Sequence, residues 1–112
     1  MQEGNTAENT AHRLEQLAEL YRQGSVGDTV TKTLNKLFRY EAENCNAQIR
    51  ELENDLSVFE KQYGMPSDLF YQQFQKGEVG DDMDFIEWAS VIQMHQRLRQ
   101  RLALLTSEPG EA

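Results

Sequence analysis

An all-α fold, an elongated helical hairpin with coiled-coil-like packing, is what this sequence predicts, and three observations carry that reading. Between Asp28 and Tyr63 there is neither Gly nor Pro. Along that stretch Phe38, Ala42, Cys45, Ile49, Leu52, Leu56, Phe59 and Tyr63 follow one another in alternating steps of 4 and 3, the spacing of a heptad seam. A second apolar helical pattern occupies residues 85–105, and the segment joining the two is too short for a sheet crossover. The architecture expected is one long central helix, a short helix at the bend and a C-terminal helix lying antiparallel to the first. With 112 residues there is room for one domain, so residues 1–112 are expected to form a single helical domain.

The first periodic segment runs over Thr10 to Gln23, with Leu14, Leu17, Ala18 and Tyr21 on one helical face. Gly24 stands where a left-handed cap ends such a helix. The next helix should begin near Asp28, and its 36 residues to Tyr63 would span about 50 Å. Gly64 closes it. Pro66 to Lys76 then predicts the bend helix: the proline fixes φ, Ser67 offers a capping hydroxyl, and Leu69, Phe70 and Phe74 make an apolar face. The last helix is expected over Asp82 to Leu105, its first turn enriched in acids that suit a positive helix end. On it Phe85, Trp88, Val91, Ile92, Met94, Leu98, Leu102 and Leu105 cover about half the circumference, wider than the stripe of an ordinary surface helix. One face can serve the core and its neighbour a partner. Residues 1–9 and 107–112 are expected to be flexible tails.

Composition narrows the function classes. Asp and Glu number 19 against 11 Lys and Arg, a net charge of -8, which repels nucleic acid and favours a basic partner. The longest unbroken apolar run, residues 102–105, is far short of a membrane span. No export signal is visible, and a single cysteine cannot build a disulfide framework, so a cytoplasmic setting is expected.

Few residues suggest chemistry. Asp81, Asp82 and Asp84 are clustered carboxylates of the kind hard cations bind, but the spacing fails that of a calcium loop and suits a helix N-terminus better. His95 has Val91 and Arg99 four residues to either side, so its own helix supplies no second ligand, and His12 sits among Glu8 and Glu15 on a solvated face. Cys45 lies on the heptad seam, where an inert buried thiol is expected. No cofactor, metal or enzymatic activity is therefore expected. Leu17 to Leu34 fails as a DNA-reading helix-turn-helix, since Leu20 and Ser25 occupy positions that want a small and an apolar residue; DNA binding is not favoured. More informative are Phe70, Tyr71, Phe74, Phe85 and Trp88, half of the ten aromatics within nineteen residues, beside the densest acidic patch. Such a group is either a local core or an interface anchored by aromatics and rimmed by charge.

Tyr40-Glu41-Ala42-Glu43, Glu60-Lys61-Gln62-Tyr63-Gly64-Met65, the segment from Phe70 to Glu78 and above all Gly80-Asp81-Asp82-Met83-Asp84-Phe85-Ile86-Glu87-Trp88-Ala89 resemble the antitoxins of bacterial TumE/TumA toxin-antitoxin pairs. The resemblance spans Leu14 to Leu105 in order and spacing; Pro66 departs from the serine-like cap expected there. It implies a type II antitoxin that holds a co-encoded toxin inactive by direct binding, and it brings no catalytic or metal residue with it. On this basis a basic toxin is the expected partner, held by Asp81, Asp82, Asp84, Phe85 and Trp88. A homodimer is expected through Ala42, Cys45, Ile49, Leu52, Leu56 and Phe59, because one hairpin cannot hide both the seam and the wide arc of the last helix. The alternative is a non-enzymatic, self-associating coiled-coil scaffold or adaptor with no toxin.

Overall fold

The computed structural model describes residues 6–107. Four helices follow in order: α1 (Thr6–Arg22), α2 (Asp28–Tyr63), α3 (Ser67–Gln75) and α4 (Met83–Thr106), with no strand among the described residues. The expected bounds of α2 are met at both ends. Helix α1 begins four residues earlier than its apolar period indicates, so residues 6–9 of the expected N-terminal tail are helical. The rest of the expected tails, residues 1–5 and 108–112, lie outside the described residues; Ser107 caps α4. Where the sequence suggests one helical domain, the chain divides into two compact units, with the boundary between Lys36 and Leu37 inside α2.

The first unit pairs α1 with the opening turns of α2. Gly24 takes φ 72°, its N–H reaching the Tyr21 carbonyl at 3.0 Å while Ser25 N–H reaches that of Leu20 at 2.9 Å. These are the two bonds of a Schellman stop, and the left-handed backbone is one that a side chain would strain. Tyr21 Oη and Thr31 Oγ1 share a hydrogen bond of 2.7 Å across the connection. No residue of α1 is buried; Leu17, Ala18 and Tyr21 are half-buried and Leu14 is exposed.

The second unit holds the core. Gly64, at φ 66°, ends α2 by returning its N–H to the Glu60 carbonyl at 2.8 Å, and Pro66 turns the chain into α3. A second left-handed glycine, Gly77, releases α3, and Asp82 opens α4 by accepting the Asp84 N–H at 3.0 Å, as a helix cap should. Helix α4 runs back along α2: Tyr63 meets Phe85, Phe59 meets Trp88 and Glu53 meets His95, one number falling as the other rises. The expected hairpin is therefore present, with α3 at its bend. Phe70, Trp88, Ala89 and Ile92 are buried at its centre, and Leu56, Phe59, Tyr63, Met65, Tyr71, Phe74, Val79 and Phe85 pack around them.

The heptad seam of α2 is spent largely within the chain. Cys45 and Ile49 are buried, and Ala42, Leu52, Leu56, Phe59 and Tyr63 are half-buried, while Phe38 stays half exposed. Leu56, Phe59 and Tyr63 pack on the core, so Leu56 and Phe59 of the expected self-association set have an intrachain partner.

Candidate partner-binding surface

The acidic turn and the aromatic group, adjacent in sequence, are sorted to different depths by α4. Trp88 lies at 0% exposure, its ring stacked on Phe70 at 3.9 Å between centroids and 4° between planes. Phe59 stacks beside it at 5.5 Å and Tyr63 at 5.7 Å. An indole sealed this way needs an acceptor for its N–H, or burial would cost the full desolvation of that group. Ser67 supplies it: Trp88 Nε1 donates to Ser67 Oγ at 2.9 Å, and Ser67 N–H donates to Glu60 Oε2 at 3.0 Å. Of the two sequence alternatives for the aromatic group, core or interface, the structure makes Trp88 core. Phe85 is half-buried, edge-on to Tyr63 at 5.2 Å.

Ser67 also departs from its expected role. Pro66 occupies the N-cap of α3 with ψ 149° and, having no polar side chain, forms no cap bond, while the serine hydroxyl, one position further on, is turned to the indole.

The aspartates divide. Asp81 and Asp82 are exposed; Asp82 caps the helix with one oxygen. Asp84 is half-buried, its Oδ2 accepting from Tyr63 Oη and, at 3.4 Å, from Gln62 Nε2. That hydrogen bond, reinforced by loss of solvent and by the negative charges of Asp84 and Asp82, pushes the Tyr63 phenol up to about 12. Among the described residues none of the three aspartates forms an ion pair. The outer rim of the expected site is thus open to a partner, whereas its aromatic centre faces inward.

Two polar links lie beyond what spacing along one helix can show. His95 Nε2 and Glu53 Oε2 stand 3.0 Å apart, joining α4 to α2 across 42 residues. Glu53, Glu60, Asp68 and His95 line a groove of about 310 Å³ over Ile92 and Leu56. Among the described residues no group of three or more His, Cys, Asp or Glu side chains comes close enough to hold a metal ion. The Glu60–Ser67–Trp88 chain likewise joins three elements, and its one sequence signal was the serine, which suggested a cap.

No family model, curated protein or solved structure matches the chain. No helix among the described residues is long and apolar enough to cross a membrane.

Proposed function

We propose that this protein is an antitoxin that neutralises a co-encoded basic toxin by direct binding in the cytoplasm, without chemistry of its own. The resemblance carried by residues 14–105 suggests the reading. The observation that supports it best is the segment from Glu78 to Glu87, which holds five acids and no base, with no ion pair formed there among the described residues. Its negative field is left for a partner to neutralise. Asp81 and Asp82 form the contact rim, and the aromatic core behind them holds that rim in place.

Co-expression with the product of the neighbouring gene tests the reading. The toxin should arrest growth when expressed alone and should co-purify with this chain. Asp81→Asn together with Asp82→Asn should slow association and flatten its salt dependence at unchanged helicity, since asparagine still caps a helix. Asp84 is left intact because it holds Tyr63. A harmless neighbour with which no complex forms would sink the proposal.

A further inference from the structure

Helix α4 carries a second heptad spacing beside its core face, along the flank next to α2, and the α2 seam does not explain it. Met83, Glu87, Ser90, Met94, Arg97, Arg101 and Leu104 are separated by steps of 4, 3, 4, 3, 4 and 3, within an arc of about 100°. Every one of them is exposed, Met83 at 76%, Met94 at 39% and Leu104 at 83%. Among the described residues Glu87, Arg97 and Arg101 form no ion pair.

The order of side chains along this stripe is complementary to its own reverse. Met83 and Leu104, Glu87 and Arg101, and Ser90 and Arg97 have midpoints at 93.5, 94 and 93.5, so all three pairs centre on Met94. Turned end for end, a second stripe sets methionine on leucine at both ends, glutamate on arginine one turn further in, and Met94 on itself at the middle. The flank supplied by α2 follows the same polarity. Asp55 and Val58 join Glu87 around a groove of about 210 Å³, while Arg97 and Arg101 stand over one of about 330 Å³ floored by Leu52 and Leu98. Glu51 lines that second groove and leaves one arginine in surplus. A parallel arrangement would instead oppose glutamate to glutamate and arginine to arginine, which is unfavourable.

We infer that this exposed stripe of α4 is the docking site for a second copy of this chain, joined antiparallel about a two-fold axis at Met94. An isologous contact of this kind requires each residue to meet its counterpart twice, which is what the centred pairs provide. The interface is separate from the α2 seam, and it does not depend on the antitoxin reading.

The test is a charge exchange on the full chain, followed by sedimentation equilibrium at micromolar concentration and by circular dichroism. The unmodified protein should be a dimer. Glu87→Arg and Arg101→Glu, at exposed positions, should each keep their helicity and raise the dissociation constant roughly tenfold or more, because each reverses two contacts. Mixing the two variants, or combining both changes in one chain, should restore association. A monomeric unmodified protein would overturn the inference, as would a dimer indifferent to the single changes or a double variant no better than either single one.

Discussion

Helix α1 and the end of α2 both carry apolar side chains at helical spacing, mostly half-buried in each, but only those of α2 meet a core. Leu14, Leu17, Ala18 and Tyr21 share a face as regularly as Leu52, Leu56, Phe59 and Tyr63 do, yet α1 has no buried residue while the latter set packs on or beside a core containing a fully enclosed tryptophan. Period sets which side chains point together. Burial depends on what meets them, and among the described residues only the second unit brings three elements and seven aromatic rings to one place.

Truncation is the strongest way to break this contrast. Trp88→Ala removes a side chain stacked on three rings and should cost about 3 to 5 kcal/mol of stability in urea unfolding, whereas Leu14→Ala, at a site 53% exposed, should stay within about 0.5 kcal/mol. Equal effects would show that α1 is held as firmly as the core. A smaller effect should follow Ser67→Ala, which leaves the buried indole N–H without its acceptor and should cost about 1 to 3 kcal/mol. If stability were unchanged, Trp88 would have to reach another acceptor.

The smallest effect sharpens the comparison through pH. The Tyr63 phenol, raised from 10.0 to about 12 by its bond to Asp84, favours the protonated form in the folded state. Its contribution is complete below pH 10 and is lost as pH rises from 10 through about 12. In alkaline denaturation Asp84→Asn should remove that dependence, and a curve identical to that of the unmodified protein would show that the pairing with Asp84 is not what moves the phenol.

Much of the architecture was legible because glycines mark its corners. Gly24, Gly64 and Gly77 each take positive φ where the apolar period breaks, and Asp28 and Tyr63 are the true ends of α2. The antiparallel pairing of Phe59 with Trp88 also follows from a hairpin of two apolar helices. The start of α1 was hidden, since Thr6 to Asn9 carry no apolar residue other than Ala7 and a helix propagates through polar residues without periodic sign. The depth of Trp88 was hidden for another reason: an apolar arc over half of α4 contains both an inner and an outer side, and the positions of α2 and α3 together decide between them. Pairs such as Glu53 with His95, 42 residues apart, have no signature in local spacing at all.

The enclosure of Trp88 has an optical consequence. It is the chain's only tryptophan, so indole emission comes from one place, between Phe59 and Phe70. The 17 residues of α1 contribute amide ellipticity but no indole fluorescence. Emission therefore follows the dismantling of the aromatic stack, and far-ultraviolet ellipticity follows every helix together. Where the two curves part, the signal belongs to helix that melts without disturbing the tryptophan.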